Sequence, residues 1–298
     1  MRTGARISAG RPRPTPLLAF AAAFFFLLVL SPFRSLAADG EPGSQRTIRL
    51  KIVVDEEYRR LPGQSLLEIK RTVAASARFF KKHFGLSLSI QGIGRWHSDN
   101  TKWTLPGLCD DLYGAVGRGD CDIVIGFSGQ IRGESRVFGV ASYDQGYILV
   151  KRSLNPYVSK TILTHELCHV FGAVDLEGES SIMNEDNPEF ECDDFTKQII
   201  RLHRNRRFGP GVFPLSPEDQ ETAISLYEQR KSLRRQEAGL SLRLAAIYLE
   251  KRDSEMAIKE CLEAERLAPW DPAVRTFLEL AYRQKEKVGS ASPFLPVP

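Results

Sequence analysis

The segment THELCHVFGAVD, residues 164–175, carries side chains that could bind a metal ion and hydrolyse a peptide bond. His165 and His169 are four residues apart, so on a helix they lie on one face and can present two imidazole nitrogens to one cation. Glu166 lies beside them and could act as the catalytic general base toward a water in an open coordination position. The alternative is an ordinary buried helix with two core histidines and no ion.

A third ligand requires the chain to reverse after the histidines. Asp175 follows His169 by six residues, a spacing that would place it on the far side of the helix if the helix continued. Gly172 lies between them, and glycine adopts positive φ without strain. We therefore predict that the helix ends at Gly172 and that Asp175 returns to complete a zinc site with His165 and His169.

Eight residues after Asp175, Met183 follows in the segment SSIMNE. With it, the chain resembles the metzincin zinc endopeptidases, whose pattern HExxHxxGxxH/D precedes a methionine turn beneath the metal. The resemblance is close over the metal motif and looser over residues 46–235, where LSPEDQETAISLYE is similar to the C-terminal helix of matrixin-type domains. It implies that His165, His169 and Asp175 bind Zn²⁺, that Glu166 is the base and that Met183 forms the floor of the site.

The chain departs from the usual metzincin pattern at the third ligand. Asp175 stands where most members have histidine, as in the minority that resembles snapalysin, and no tyrosine follows Met183 closely. A carboxylate ligand cancels more of the cation's charge, so a water on the metal is expected to be a weaker acid. Two functions therefore remain: a zinc-dependent endopeptidase, or a catalytically weak or inactive metal-binding domain that acts as a protein-binding module.

The elements that must position the motif predict an α+β fold. Their order is strand, helix, strand, helix, three strands and helix, which indicates a mixed sheet packed with long helices; the resemblance makes this a metzincin-like twisted sheet. The predicted strands are 46–58, 86–96, 121–127, 138–142 and 147–152, and the predicted helices are 65–85, 110–116, 156–171, 193–208 and 216–235. By analogy with the family, strand 138–142 is the exposed edge along which a peptide or protein substrate lies; the alternative is an internal strand.

The last sixty residues have a different residue pattern from the region before them. Residues 236–288 resemble a tetratricopeptide repeat, a small all-α helical unit, in the spacing of Leu244, Ala245, Tyr248, Ala257, Ala264 and Pro269. Leu278 and Tyr282 repeat the first helix 34 residues later. A plain helical hairpin is the alternative. Such a unit could bind a protein partner, and residues 289–298 are predicted to be a disordered tail.

The first 37 residues predict a secretory signal. Four arginines precede an apolar run from Leu17 to Leu30, which is short for a membrane span, and small residues lead to a predicted cleavage after Ala37. An uncleaved N-terminal anchor is the alternative. Removing residues 1–37 changes the formal charge from 41 − 37 = +4 to 36 − 37 = −1. We therefore expect a secreted or periplasmic protein with no nucleic-acid partner and no stable membrane span after cleavage.

An exported chain meets oxidising conditions, so its five cysteines can pair. Cys109 with Cys121 is the first candidate and Cys168 with Cys192 the second, with a buried free thiol at Cys168 as the alternative. His203 has no ligand spacing. It lies in the basic run from Arg201 to Arg207, which predicts a solvated helix face.

Overall fold

The computed structural model describes residues 46–60, 66–130, 138–143, 145–153, 155–184, 188–209, 215–234 and 237–290. The predicted signal, residues 1–37, lies outside the described residues, as does most of the predicted tail 289–298. In the described part of the chain, no helix has the length and apolar character that crossing a membrane requires.

A five-stranded mixed sheet forms the centre of the first part of the chain. Its strands are β1 (Thr47–Val54), β2 (Ser87–Arg95), β3 (Ile123–Ser128), β4 (Gly139–Ser142) and β5 (Tyr147–Lys151). They lie in the order β2-β1-β3-β5-β4; the first four of that order are parallel and β4 is antiparallel to β5. Every residue of β3 is buried, as expected for a central strand covered on both faces.

Nine α-helices accompany the sheet within the described residues. They are α1 (Glu56–Arg60), α2 (Leu66–Phe84), α3 (Leu105–Ala115), α4 (Pro156–Val170), α5 (Asp194–Leu202), α6 (Pro217–Leu233), α7 (Ala238–Glu250), α8 (Ser254–Leu267) and α9 (Pro272–Ser290). A short 3₁₀ turn, His203–Asn205, follows α5. The α+β class predicted from the sequence is confirmed.

Three helices differ from the sequence prediction. Helix α5 ends at Leu202, where the prediction extends to residue 208. The predicted strand 46–58 ends at Val54, and its last residues form α1, where the buried carboxylate of Asp55 accepts a 2.7 Å hydrogen bond from the Tyr58 amide. Helix α3 begins five residues before the predicted start, because the Thr104 hydroxyl accepts a hydrogen bond from the Gly107 amide and caps it. At the starts of α1 and α3, a capping side chain outweighs hydrophobic periodicity.

Strand β4 lies at an edge of the sheet, as predicted for residues 138–142, and its observed bounds are Gly139–Ser142. It pairs only with β5 among the described strands, with Ala141 opposite Ile148. One side of its backbone is therefore available to a further strand.

Helices α7, α8 and α9 follow one another and pack through small side chains. Ala245, Ala246, Ala264 and Ala273 are buried between them. Leu240, Leu244 and Ile247 of α7 instead belong to the same apolar core as the sheet and α4. The tetratricopeptide resemblance of this segment stays a prediction, but its helices share a core with the region before it.

The five cysteines are free thiols in this structure, so neither predicted pairing is present. Cys109 is buried beside Leu112 and Tyr147 in an apolar cluster, whereas Cys121 is only partly buried. Cys168 and Cys192 are both buried in the main core. Burial raises the pKa of Cys168 well above its usual value, which keeps the thiol protonated.

Candidate metal centre

Helix α4 carries the histidines and is fixed at both ends. At its start the Asn155 side chain accepts a 2.9 Å hydrogen bond from the Tyr157 amide, and Pro156 occupies the first turn. Leu163 and Leu167 are fully buried against the core. The helix therefore holds its opposite face, with His165 and His169, in a defined orientation.

The helix ends at Val170 through the glycine reversal that the sequence predicts. Gly172 has φ of 92°, and its amide donates to the His169 carbonyl at 2.9 Å. The Ala173 amide donates to the Cys168 carbonyl at 3.1 Å. These two bonds form a Schellman motif, the C-terminal cap that requires a left-handed residue at the glycine position.

The two imidazole rings are oriented by backbone carbonyls. His165 Nδ1 lies 2.9 Å from the Ile182 carbonyl, and His169 Nδ1 lies 3.0 Å from the Ala173 carbonyl. Because a carbonyl oxygen can only accept, each Nδ1 must donate. In a neutral ring, Nε2 then carries the lone pair, the arrangement that metal-binding histidines adopt.

Three donor atoms converge at the end of α4. The Nε2 atoms of His165 and His169 are 2.9 Å apart, and Oδ1 of Asp175 lies 3.2 Å from each of them. A point about 2 Å from all three atoms exists, and about 2 Å is the usual Zn–N and Zn–O distance. The three predicted ligands are therefore brought together as one group that could hold a metal ion.

The electrostatics of this group also fit a cation. Oδ1 of Asp175 is buried, and its polar neighbours are the Nε2 atoms of His165 and His169, each 3.2 Å away. Burial opposes its ionisation, but the charge of His169 and hydrogen bonds from both rings lower the pKa of Asp175 well below its usual range. Burial lowers the pKa of His165, yet the hydrogen bond and charge of Asp175 outweigh it and raise that pKa to about 9. Ions and protons thus compete for the same atoms.

Glu166 lies beside the donors and against the edge strand. Its side chain is 6% exposed. A Cβ added at Gly139 of β4 would lie 2.5 Å from Glu166 Oε1, so the absence of a side chain at Gly139 creates the space that this carboxylate occupies. Burial raises the pKa of Glu166, and the charges of His165 and His169 act in the opposite direction.

Met183 supports the site through its backbone neighbourhood. Its side chain is fully buried in the core. Its carbonyl accepts a 2.8 Å hydrogen bond from the Leu176 amide, and the carbonyl of the preceding residue, Ile182, orients His165. The turn at Met183 therefore connects the loop that carries Asp175 to His165.

The reversal at Gly172 provides a test of the local geometry. A Cβ at this position would lie 2.7 Å from Nε2 of the buried His203. We expect Gly172→Ala to lower the free energy of unfolding of the metal-free protein by about 2–5 kcal/mol, combining left-handed strain with overpacking. Denaturant unfolding measures this loss.

The control is Gly178→Ala, also at positive φ but with open space around it, where we expect the free energy of unfolding to fall by about 1–2 kcal/mol. Equal losses would show that the His203 contact is unimportant.

Sequence reasoning missed several residues around this site. The run from Arg201 to Arg207 is not the solvated face that its composition predicts, because Arg206 is 3% exposed and His203 is fully buried. Arg206, Tyr227 and Gly139 contact the site or its helix. A glycine in a short strand was the only signal of a close approach that the sequence offered.

No protein-family model matches the sequence, and no curated protein matches it. Among solved structures, a chain from "Structure of a chaperone-substrate complex" matches with 13% identity and a TM-score of 0.41, over 53% of this chain and 34% of the other. Metalloproteinase-II from Bacteroides fragilis matches with 12% identity and a TM-score of 0.37, over 61% and 53%. The chain thus spans about a third and about half of those two chains. One neighbour is named a metalloproteinase, but likenesses this weak carry no argument about this chain.

Proposed function

We propose that the chain is a zinc-dependent endopeptidase whose metal ligands are His165, His169 and Asp175. One observation carries the proposal: two imidazole nitrogens and a buried carboxylate oxygen, each within 3.2 Å of the others, face one point. Without a cation, the two ring lone pairs would repel each other unless a proton lay between them. The side chains of His165 and His169 are 13% and 17% exposed, and Asp175 is 44% exposed, so an ion can reach them.

The chemistry that a bound zinc ion supplies is Lewis acidity, which polarises a peptide carbonyl and lowers the pKa of water. The residues of the chain supply positioning and proton transfer. Glu166 lies on α4 with its carboxylate against Gly139. It is the group placed to accept a proton from the attacking water and to return it to the leaving amine. The Ile182 and Ala173 carbonyls keep both rings in the tautomer that leaves Nε2 free.

Strand β4 is the proposed docking edge for an extended peptide substrate. Its outer backbone groups have no partner strand among the described residues, and Gly139 brings this edge against Glu166. A peptide that adds as a further strand would pass beside the base. Export from the cell, as predicted from residues 1–37, and a partner at α7–α9 remain proposals.

The contact between Gly139 and Glu166 predicts a variant that loses activity but keeps its zinc affinity. We expect Gly139→Ala to displace the Glu166 carboxylate and lower kcat/KM for a peptide substrate about 10- to 100-fold, because a displacement near 1 Å at the reacting groups costs about that much. Zinc affinity should stay unchanged. Gly92→Ala, on strand β2 with open space around it, is the control. Unchanged cleavage by Gly139→Ala would contradict the placement of Glu166.

The function is tested with the zinc-loaded wild-type protein on a broad peptide library, read by mass spectrometry. The proposal expects cleavage that a chelator removes and added zinc restores. Bound zinc without cleavage would favour the alternative, a metal-binding module that no longer hydrolyses peptides. Absence of zinc binding would overturn both functions.

A further inference from the structure

Three backbone carbonyls at the end of α4 accept hydrogen bonds from side chains far along the chain. The Val170 carbonyl accepts from Arg206 Nη1 at 2.7 Å, and the Gly172 carbonyl accepts from the Tyr227 hydroxyl at 2.7 Å. The His169 carbonyl lies 3.5 Å from Arg243 Nη2, at the upper limit for a hydrogen bond. A helix end leaves carbonyls such as those of Val170 and Gly172 without helical partners, so Arg206 and Tyr227 fill positions that the helix itself cannot. The His169 carbonyl also accepts from the Gly172 amide, and Arg243 adds a second donor there.

The three donors come from three different elements. Arg206 follows the 3₁₀ turn after α5, Tyr227 lies on α6 and Arg243 lies on α7. Arg206 is 3% and Tyr227 is 1% exposed. Burial raises the pKa of Tyr227 to about 12, so its hydroxyl stays a donor. Positive charge near a helix C-terminus is also favourable to the helix dipole.

Tyr143, directly after β4, connects these donors to the C-terminal helices. The guanidinium carbons of Arg206 and Arg243 each lie 4.0 Å from the centre of its ring. The same ring packs in an apolar cluster with Leu242, Ala245 and other residues of α7–α9. Near the start of α7, a Cβ at Gly239 would lie 3.5 Å from Val174, the residue before Asp175.

We infer that Tyr227, Arg206 and Arg243 are positioning residues for the metal centre. We also infer that α7 helps to fix the end of α4 that carries the centre. The inference rests on the proposed zinc site. The three donors fix the reversal between His169 and Asp175, and therefore the distance between a ring nitrogen and the carboxylate oxygen. Partners that orient metal ligands typically account for a 10- to 100-fold difference in metal affinity.

The test compares two tyrosine-to-phenylalanine variants of the full chain. Tyr227→Phe removes only the hydroxyl that binds Gly172. Tyr248→Phe removes a hydroxyl of α7 that bonds to Glu228 at 3.3 Å. The dissociation constant for Zn²⁺ is measured by competition with a chromophoric chelator, and unfolding of the metal-free protein is measured separately. We expect Tyr227→Phe to weaken zinc binding about 10- to 100-fold and Tyr248→Phe to leave it within about twofold.

Equal zinc affinity in Tyr227→Phe and the wild type would overturn the inference, as would equal weakening in both variants. A merely structural role would lower the unfolding midpoint of Tyr227→Phe and leave the dissociation constant unchanged. Failure of the wild type to bind zinc would instead refute the proposed function. If Tyr227→Phe does not fold, Arg243→Gln and Arg243→Lys decide: the inference expects Gln to weaken zinc binding and Lys to retain more of it. Equal zinc affinity in Arg243→Gln and the wild type would overturn it.

Discussion

Replacement of Glu166 by glutamine is expected to abolish measurable peptide cleavage while the protein keeps its zinc. Glutamine has nearly the same shape but cannot accept the proton from an attacking water at neutral pH. Removing a general base costs typically 10²- to 10⁴-fold in rate. Glu166 is not one of the three converging ligands, so zinc stoichiometry should be unchanged. The measurement is kcat/KM on the best peptide from the library, alongside metal analysis.

The control for this variant is Glu177→Gln, the same chemical change at an exposed position two residues after Asp175. It should cleave peptide at the wild-type rate. Cleavage by Glu166→Gln within about tenfold of the wild type would exclude Glu166 as the principal base. Loss of zinc from Glu166→Gln would show that this carboxylate takes part in metal binding.

Asp175→Ala is expected to produce the largest loss of metal affinity. The variant removes the buried oxygen that lies 3.2 Å from both ring nitrogens and leaves two ligands from one helix. Removing a ligand should exceed the effect of removing a supporting partner, so we expect the zinc dissociation constant to rise by more than about 100-fold. Equilibrium dialysis against buffered zinc measures it.

Glu177→Ala removes a neighbouring carboxylate from the same loop and provides the matched control. Its zinc affinity should equal that of the wild type, because its exposed side chain is not among the converging donors. If Asp175→Ala binds zinc as tightly as Glu177→Ala, the third ligand is another group and the interpretation of the glycine reversal is wrong.

The metal motif could be predicted because its geometry is local. Helical spacing determines that His165 and His169 face the same way, and a glycine at Gly172 permits the reversal that returns Asp175. Only nine residues separate His165 from Asp175, and the position of each is set by its neighbours in sequence. The structure brings the three side chains together as a group that could hold a metal ion.

Apart from α1, the order of strands and helices also follows from the sequence pattern, and the edge position of β4 agrees with what the family resemblance implies. The positions of helix ends were harder to predict from the sequence. The start of α3 depends on one hydrogen bond to Thr104, and the five-residue helix α1 is too short to show a periodic apolar pattern. In both cases a local polar contact decides the boundary, and apolar periodicity does not report such contacts.

The supporting residues could not be predicted because they act on backbone atoms across long sequence separations. Arg206 is 36 residues from Val170, and Tyr227 is 55 residues from Gly172. Every residue has a backbone carbonyl, so the residue types at Val170 and Gly172 do not indicate which side chain donates to them. The basic composition around Arg206 favours a solvated face, but its guanidinium is buried against the carbonyls of Val170 and Tyr143 and the Tyr143 ring.

The central claim is that one metal ion lies among His165, His169 and Asp175. The most direct measurement is the anomalous scattering of crystals of the zinc-loaded protein, with X-ray data collected on both sides of the zinc absorption edge. We expect a single strong peak about 2 Å from Nε2 of both histidines and from an oxygen of Asp175. A zinc peak elsewhere, or no peak among these three side chains, would contradict it.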